Sequence, residues 1–513
     1  MRSSPGRLIL RADAGPTIGA GHVMRCLAIA QAWQRLGGSA IFVANELSDA
    51  LQARLDDMRA TIEQLGPLDE TADAERTVAI ATATEARWIV VDSYQLGEQY
   101  HRTLTGSGLH VLSLNDFQPT AAADVVLNSN PQASVASYPE LEEQTMLLLG
   151  PRYCLLRDEF AGPPSPRPPA GAARRLLVAA GGADPTGLTL AALAALQKIR
   201  HRDLEATVMV GAANPNRTSI EAAAAALPCP VRVLFDCRDV LAELQRADVA
   251  VTAAGSSCWE MAYAGLPMLA MATADNQIPV AAAIAAAGAG VDLGLHRSLT
   301  AAMLTDPITQ LLELNPAQRQ AMSQAGQQLV DGAGTERVAA LMATPSIRFR
   351  RATMHDARLL WTWRNDPTVR SVSLSGDEQI PYDSHCGWLQ QRLQQSDCRL
   401  MLALDAQGTA CGQVRFDDLG TDAQAVISIS LARECRSRGL GTAIIRHATE
   451  YVLGRRLAAG VDAFIKRENQ ASINAFAKSG YQLAHQPADP CQPLRYTSGA
   501  SFHRQLSPQR AIA

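Results

Sequence analysis

One histidine near the start of the chain stands in a setting suited to chemistry on a bound ligand. Residues 19–25 read Gly-Ala-Gly-His-Val-Met-Arg, and His22 is the only histidine among the first hundred residues. Glycines let a ligand come close to the backbone, and a helix N-terminus offers N–H groups to anions. By itself this stretch predicts a nucleotide or sugar cleft, in which the role of His22 depends on the rest of the chain.

The segments around His22 predict an α/β domain. The apolar run at residues 8–10 precedes the glycine loop, and an amphipathic segment at residues 26–33 follows it, as in a strand, loop and helix. Further apolar runs alternate with amphipathic segments to about residue 160, which is typical of buried parallel strands. Ligands bind at the carboxyl ends of such strands, although each polar residue there could instead cap a helix or form a turn. Polar residues follow the runs at Arg11, Asp13, Asp92, Tyr94, Asn128 and Asn130.

A proline-rich linker at residues 162–169 precedes a second α/β domain, because proline removes backbone donors and holds the chain extended. The loop Gly255-Ser256-Ser257 follows an apolar run and opens a helix, so its N–H groups can hold a diphosphate. Glu260, one turn later, can accept two hydrogen bonds from a ribose diol. Alternatively, Ser257 and Glu260 form a capping box, which needs no ligand.

The pattern changes again after residues 341–346. Residues 400–404 and 410–416 flank a turn, which predicts an antiparallel hairpin. A strand over residues 425–431 leads into Arg436-Ser437-Arg438-Gly439-Leu440-Gly441-Thr442 and a helix at residues 443–453. A basic glycine loop at a helix N-terminus is suited to a pyrophosphate.

Composition argues against several classes of function. The 513 residues carry a net charge of -4 and only 5% are aromatic, which is unlike a nucleic-acid-binding protein. The ten cysteines include no Cys-x-x-Cys pair, so we expect no metal site. No apolar run reaches the length of a membrane span, and the N-terminus lacks the apolar core of a signal peptide. We expect a cytoplasmic protein with no membrane insertion, whose oligomeric state the sequence does not indicate.

The motifs of residues 8–340, taken in order, resemble the UDP-sugar hydrolase of pseudaminic acid biosynthesis, a relative of the GT-B glycosyltransferases. One departure is Asn115-Asp116, where two acidic residues are expected. The motifs are Arg11-x-Asp13, Gly19-x-Gly21-His22-x-x-Arg25, Asp92-x-Tyr94, Asn128-x-Asn130, Gly150-Pro151-x-Tyr153-x-Leu155-Leu156-Arg157, Gly181-Gly182-x-Asp184, Ala254-Gly255-Ser256-Ser257-x-Trp259-Glu260 and Asn276-Gln277.

This resemblance implies hydrolysis of UDP-2,4-diacetamido-2,4,6-trideoxy-β-L-altropyranose to the free sugar and UDP. His22 would deprotonate the attacking water, with inversion at the anomeric carbon, and Asp13 would orient His22 or hold the sugar amides. Donors of the Gly255 loop would stabilise the charge on the departing UDP. The residues implied to bind the UDP-sugar are Arg11, Gly19, Gly21, Arg25, Asp92, Tyr94, Asn128, Asn130, Tyr153, Arg157, Gly182, Asp184, Gly255, Ser256, Ser257, Glu260, Asn276 and Gln277.

Residues 347–484 resemble the GNAT N-acetyltransferases, through the loop 436–442 and the segment 469–481. Trp363-Arg364-Asn365, Ile380, His385 and Trp388 resemble the branch that acetylates UDP-amino-sugars for pseudaminic acid. The resemblance implies direct transfer of an acetyl group from acetyl-CoA to the sugar 4-amine. The implied acetyl-CoA contacts are Arg436, Arg438, Gly439, Leu440, Gly441, Thr442, Asn469, Ser472 and Phe476.

The acid and base of this transfer are less well defined by the sequence. Phe476 stands where many GNATs have a tyrosine that protonates the leaving thiolate, so Tyr481 or solvent would take that role. His385 and Glu434 are candidates for the base, although a core or surface role suits either. For Asn469 and Ser472, helix capping is the alternative to cofactor binding.

We therefore predict a GT-B-like pair of Rossmann-like α/β domains followed by an α+β GNAT domain. Residues 1–162 would carry His22, residues 163–344 would bind UDP, and residues 345–513 would use acetyl-CoA. The expected reactants are a UDP-activated amino-sugar, water and acetyl-CoA. Two alternatives stay open: a GT-B glycosyltransferase that passes the sugar to an acceptor, and a UDP-sugar-binding protein with one active acetyltransferase domain.

Overall fold

The structure, a computed structural model, divides into two compact units. The first comprises residues 1–133 and 149–339, and the second comprises residues 134–148 and 340–513. Gly19 and the pair Asn115-Asp116 lie outside the described residues. The described residues are 4–15, 20–114, 122–139, 141, 144–167, 171–201, 203–212, 214–489 and 492–498.

The first unit begins with a parallel sheet. Its strands are β1 Arg7–Ala12, β2 Ser39–Ala44, β3 Thr61–Gln64, β4 Trp88–Asp92, β5 His110–Leu114 and β6 Val125–Asn128, and β7 Met146–Leu149 follows in the chain. The helices between them are α1 Gly21–Arg35, α2 Asp49–Asp57, α3 Glu70–Ala83 and α4 Glu98–Gly106. The strands pair in the order β3-β2-β1-β4-β5-β6, so the strand order reverses between β1 and β4. The end of β1 and the start of α1, where His22 lies, are therefore at the switch point, where doubly wound sheets bind ligands.

Burial explains why β1 is a continuous apolar run. Leu8, Ile9 and Leu10 are fully buried, because side chains on both faces of a doubly wound sheet are covered by helices. The helix α1 packs through residues spaced three or four apart, which gives it one apolar face. The fully or almost fully buried residues of this face are Cys26, Ile29, Ala30 and Trp33.

A second parallel sheet completes the first unit. Its strands are β8 Arg175–Ala179, β9 Glu205–Val210, β10 Val231–Phe235, β11 Val249–Ala253, β12 Met268–Ala272 and β13 Gly290–Leu295, in the order β10-β9-β8-β11-β12-β13. The helices are α5 Leu188–Leu196, α6 Arg217–Ala225, α7 Val240–Arg246, α8 Ser257–Tyr263, α9 Ile278–Ala286, α10 Ala301–Glu313 and α11 Pro316–Leu329, and α12 Gly334–Met342 follows. The switch between β8 and β11 puts the Gly255 loop at the carboxyl edge of this sheet.

The second unit is built on a mixed sheet. Its strands are β14 Arg348–Arg351, β15 Arg399–Leu404, β16 Ala410–Asp417, β17 Gly420–Leu431, β18 Ala458–Ile465, β19 Gln482–His485 and β20 Leu494–Ser498, in the order β14-β15-β16-β17-β18-β20-β19. Its helices are α13 Ala357–Arg364, α14 Pro367–Ser371, α15 Tyr382–Gln394, α16 Leu440–Gly454 and α17 Gln470–Lys478. The predicted hairpin is present as β15 and β16, which pair antiparallel.

These sheets confirm the predicted fold class, a pair of Rossmann-like α/β domains followed by an α+β domain. Two boundaries differ from the sequence prediction. The strand predicted at 425–431 begins at Gly420, and the helix predicted at 443–453 begins at Leu440. Both begin at residues that lack a hydrophobic pattern, so periodicity alone could not mark them.

Candidate active site

His22 lies at the start of α1, at the switch point of the first sheet. It is the second residue of the helix, and only 6% of its surface is exposed. A Cβ at the preceding Gly21 would have no atom within 4 Å, so the backbone faces open space there. The helix therefore presents His22 at a point that a ligand can approach.

A carboxylate holds the imidazole of His22. Asp92, the last residue of β4, has its Oδ1 2.5 Å from Nδ1 of His22. Arg25 donates to both oxygens of the same carboxylate, through Nε at 2.9 Å and Nη2 at 2.7 Å. Although burial by itself raises the pKa of Asp92, Arg25 and His22 hold it below its ordinary value, so the carboxylate is ionised. An ionised carboxylate can only accept, so Nδ1 carries a proton, and in the neutral form of the imidazole the lone pair is therefore on Nε2.

The orienting role predicted for Asp13 was wrong, because Asp92 makes that contact. Asp13 accepts the backbone N–H of Asn45 at 2.6 Å and forms an ion pair with Arg11 at 2.8 Å. The reason is the strand order: Asp13 turns toward the end of β2, whereas His22 lies toward β4 on the other side of β1. Which neighbour a residue meets across a sheet is set by the topology and not by the local sequence.

Arg11, predicted to bind substrate, is an internal residue. Only 1% of it is exposed, and its Nε and Nη2 donate to Asp73 of α3 at 3.1 and 2.7 Å. Tyr100 donates to the same carboxylate at 3.0 Å. Arg11 and Asp73 thus form a buried polar network that fixes the end of β1. Arg11 does not line the cavity beside His22.

That cavity has a volume of about 330 Å³ and lies between the two sheets of the first unit. Its size suits a small-molecule site. Tyr94 stands over His22 at its mouth, with the two rings edge to face at 4.7 Å. The predicted site residues that line the cavity are Gly21, His22, Arg25, Tyr94, Asn130, Arg157, Gly255, Ser256, Glu260, Asn276 and Gln277.

On the far wall of the cavity, Glu260 forms an ion pair with an arginine that is distant in sequence. Arg157 Nη2 donates to Glu260 Oε1 at 3.0 Å, and it also pairs with Glu159 at 2.9 Å. Burial raises the pKa of Glu260, and Arg157 only partly opposes this. The capping-box alternative was wrong: α8 is preceded by Ser256, which makes no side-chain capping bond. Glu260 therefore belongs to the cavity and not to the helix cap.

Asn276 and Gln277 form another part of this wall, just after β12. Gln277 Oε1 accepts from the backbone N–H and the hydroxyl of Thr273 at 2.9 and 3.0 Å, which fixes the turn. Asn276 is exposed beside it. Of this pair, Asn276 has the side chain more available to a ligand.

Other predicted residues support the site from outside the cavity wall. Asp184, in a left-handed conformation, accepts the backbone N–H groups of Leu188 and Thr189 at 2.8 and 2.9 Å, so it caps α5. Asn128 accepts from the N–H of Asn130 at 2.9 Å. Four further predicted residues do not line the cavity. They are Tyr153, which is fully buried, Gly182, Ser257 and Asp92.

Sequence reasoning missed several residues of the wall. Most are apolar or small, so their type carries no chemical signal, and only their place beside motif residues could have marked them. Met24, Ser129 and Val280 are named in no motif, whereas Leu155, Leu156, Ala254 and Trp259 belong to the motifs but were not predicted to contact the ligand.

In the second unit, two neighbouring strands part at the predicted acetyl-CoA loop. β17 and β18 pair in parallel only as far as Val426 and Asp462, although the strands continue to Leu431 and Ile465. The loop 436–442 follows β17 directly. The last residues of β17 therefore have no backbone pairing with β18, and they lie beside the start of α16.

The two arginines of this loop have different environments. Arg436 donates to the carbonyl of Leu431 and pairs with Asp366 at 3.0 Å, so it fastens the loop to α14. Arg438 is exposed, and Gly439 follows with a φ of 78° as the N-cap of α16. A Cβ at Gly439 would meet nothing within 4 Å. Arg438 and Gly439 are exposed and Leu440 to Thr442 are half-buried, so this part of the loop is better placed for a pyrophosphate than Arg436.

The residues at and near α17 that were predicted to act with acetyl-CoA contact other residues of the protein. Asn469 accepts the N–H of Ser472 at 3.1 Å, which is the capping role named as the alternative. Phe476 is buried edge to face against Tyr481 at 4.9 Å. The hydroxyl of Tyr481 lies 2.8 Å from that of Thr449, inside the packing of α16 against α17.

The two candidate bases also differ in environment. His385 is buried, and burial and Arg364 lower its pKa, so the imidazole is neutral. Glu434 is exposed. Among the described residues, no group of three or more His, Cys, Asp or Glu side chains is arranged to hold a metal ion. No helix in the described part of the chain is long and apolar enough to cross a membrane.

Comparison with known proteins agrees with this division. Residues 346–482 match the family described as Acetyltransferase (GNAT) domain, so the second unit contains such a domain. Over 221 residues the chain is 27% identical to the spore coat polysaccharide biosynthesis protein SpsG of Bacillus subtilis, covering 43% of this chain and 64% of that protein. The chain thus spans less than two thirds of this relative.

Two further proteins resemble longer parts of the chain. An uncharacterized protein of Methanocaldococcus jannaschii is 19% identical over 438 residues, covering 81% of this chain and 84% of that protein. The crystal structure of MurG from Acinetobacter baumannii is 19% identical, with a TM-score of 0.48, and covers 66% of this chain and 99% of that chain.

Proposed function

We propose that the first unit hydrolyses a UDP-activated amino-sugar and that the GNAT domain acetylates the 4-amine of its precursor. The substrate we assign to hydrolysis is UDP-2,4-diacetamido-2,4,6-trideoxy-β-L-altropyranose, as in pseudaminic acid biosynthesis. The observation that carries the proposal is the pair His22–Asp92 at one wall of a cavity whose other wall holds Gly255, Ser256 and Glu260.

The hydrolytic step uses His22 as the base. Nε2 of His22 takes a proton from water while the water oxygen bonds to the anomeric carbon. The bond from that carbon to the β-phosphate oxygen breaks, and its electron pair leaves with UDP. Asp92 stabilises the imidazolium that forms, as a buried carboxylate does in a catalytic triad. Attack from the face opposite UDP inverts the anomeric centre.

The opposite wall holds the nucleotide. Gly255 and Ser256 offer N–H and hydroxyl donors to the diphosphate, which supports the charge that develops on UDP. Glu260 accepts from the ribose hydroxyls, and Arg157 keeps the carboxylate in place. No acid is needed at the leaving group, because UDP departs as an anion.

The acetyl transfer is direct. The neutral sugar amine attacks the thioester carbon of acetyl-CoA, a C–N bond forms and the C–S bond breaks. The nitrogen loses one proton as the amide forms, and the CoA thiolate takes up one proton. The loop 438–442 would bind the pyrophosphate of acetyl-CoA. The family match at residues 346–482 supports this assignment.

His22→Asn in the full-length protein tests the hydrolysis. We expect UDP release from the diacetamido substrate to fall at least about a thousandfold, because the base is lost. His110→Asn is the matched control. This histidine also faces an aspartate, Asp124 at 3.4 Å, but it is the first residue of β5 and so lies at the amino ends of the parallel strands, away from His22. Release at the parent rate by His22→Asn would refute the mechanism.

Incubation with the UDP-4-amino-sugar, with and without acetyl-CoA, tests both activities together. We expect free thiol to form first and UDP release to depend on acetyl-CoA. UDP release only after addition of a further acceptor would favour a glycosyltransferase. Thiol formation without UDP release would favour a UDP-sugar-binding first unit.

A further inference from the structure

Two arginines of the GNAT domain converge on one turn without a carboxylate partner. Arg364 ends α13, and its Nη2 donates to the Ser375 hydroxyl at 3.3 Å and the Gly376 carbonyl at 3.4 Å. Arg370, in α14, donates through Nη1 to the Asp377 carbonyl at 2.9 Å. Within the described part of the chain, neither guanidinium forms an ion pair.

Each of these arginines also has a buried nitrogen that no described residue satisfies. The atoms are Nη1 of Arg364 and Nε of Arg370. Burial lowers the pKa of Arg364, the positive charge of Arg370 lowers it further, and the carboxylate of Asp377 partly opposes both. Both arginines are half-buried, and two neighbouring half-buried cations repel each other unless an anion lies between them.

The surroundings add positive charge and little negative charge. Lys466, just after β18, directs its ammonium to the carbonyl of Ser371 at 3.5 Å. Buried His385 is kept neutral in part by Arg364, and its Nε2 has no hydrogen-bond partner among the described residues. Arg436, by contrast, is neutralised by Asp366. The positive charge of Arg364, Arg370 and Lys466 therefore exceeds the negative charge of the nearby Asp377 carboxylate.

We propose that Arg364 and Arg370 bind a diphosphate group, that of the nucleotide to which the acceptor amino-sugar is attached. Two planar guanidinium groups match the oxygens of a diphosphate and bind them bidentately. Trp361 and Tyr382 lie edge to face at 5.6 Å, and the guanidinium of Arg358 lies over both rings, at 5.0 and 5.4 Å from their centroids. The inference rests on the proposed acetylation of a nucleotide-linked sugar, since an acceptor without a diphosphate would not need this pair.

Acetyl-CoA also contains a diphosphate, so the test must separate the two sources. Hydrogen–deuterium exchange of the full-length protein with UDP, inorganic pyrophosphate or CoA resolves them by segment. We expect UDP and pyrophosphate to slow exchange over residues 361–388, and CoA to slow exchange over residues 436–442. Slowing of residues 361–388 by CoA alone would overturn the assignment to the nucleotide, and no slowing by any of the three would overturn the site.

Variants test the arginines themselves. In Arg364→Met/Arg370→Met we expect UDP to lose its effect on residues 361–388, and the KM of the UDP-4-amino-sugar in thiol release to rise at least about a hundredfold. The KM of acetyl-CoA should stay within about twofold. Arg392→Met is the matched control, because Arg392 of α15 is balanced by Asp417 at 3.4 Å. If the double variant unfolds, Arg370→Met alone should raise this KM about tenfold, and an unchanged KM would refute the site.

The same measurements distinguish failure of this inference from failure of the proposed function. Absence of acetyl transfer by the parent protein, with residues 361–388 still protected by UDP, would refute the acetylation and leave a diphosphate site. Normal acetyl transfer by the double variant would refute the site and leave the acetylation. Exchange over residues 20–35 and 254–263 reports UDP binding by the first unit separately.

Discussion

Asp92 ends β4 and Asp13 directly follows the neighbouring strand β1, yet only Asp92 contacts His22. Asp92 Oδ1 lies 2.5 Å from His22 Nδ1, whereas Asp13 pairs with Arg11 at 2.8 Å. One carboxylate thus acts on the imidazole that faces the cavity, and the other belongs to the buried network behind β1. We therefore propose that Asp92 takes part in the reaction through His22, whereas Asp13 supports the fold.

Asp92→Asn should lower the rate of UDP release far more than Asp13→Asn. The asparagine amide can donate to Nδ1, which would move the imidazole proton to Nε2 and remove the base. We expect kcat to fall by about a factor of 10³ to 10⁴. In Asp13→Asn, kcat should stay within about threefold, while the free energy of unfolding falls by about 1–3 kcal/mol because buried Arg11 loses a partner. UDP release and urea unfolding measure the two effects, and equal rates for the two variants would contradict this assignment.

The stability that Asp92 contributes should disappear in acid. Burial by itself raises the pKa of Asp92, but Arg25 and His22 lower it below the ordinary value of 3.8. Folding therefore favours the ionised form, so the stabilisation is complete above pH 3.8 and is lost as the pH falls through the folded-state pKa. The difference in unfolding free energy between the parent and Asp92→Asn should be constant above about pH 5 and shrink below pH 3.8. Urea titrations from pH 3 to 6 would show this, and a difference that grows in acid would contradict it.

The strands were predictable because parallel strands buried on both faces are continuous apolar runs, as Leu8–Leu10 shows. The partners of site residues were not predictable, because they come from elements distant in sequence. Glu260 meets Arg157, and the local Ser257–Glu260 spacing suggested a cap instead. Asp184 shows the opposite error. It lies in a glycine loop that resembles a ligand site, yet its carboxylate caps α5.

Two glycines of the first unit should respond differently to alanine. A Cβ at Gly211 would lie 2.2 Å from the carbonyl oxygen of Gly182, and backbone atoms there cannot move away easily. Gly211→Ala should therefore reduce the free energy of unfolding by about 1–3 kcal/mol. At Gly255 nothing lies within 4 Å of a Cβ, so Gly255→Ala should leave stability within about 0.5 kcal/mol.

The effect of Gly255→Ala should appear in binding instead. Its methyl group would project into the cavity where we propose that the diphosphate lies, and we expect the Kd for UDP to rise about tenfold. Calorimetric titration and thermal unfolding of both variants measure the contrast. Unchanged affinity in Gly255→Ala would move the diphosphate away from this loop.

In the GNAT domain, substitution of Arg438 should affect cofactor binding, whereas substitution of Arg436 should affect the stability of the fold. Arg438 is exposed at the N-terminus of α16, so Arg438→Met should raise the KM of acetyl-CoA about tenfold and leave the melting temperature unchanged. Arg436 is held by Asp366 and the Leu431 carbonyl, so Arg436→Met should lower the melting temperature, because it leaves Asp366 without its cation. Thiol release at varied acetyl-CoA, with thermal unfolding of the same samples, separates the two. A KM effect confined to Arg436→Met would show that the pyrophosphate is bound by Arg436 and would reverse the assignment.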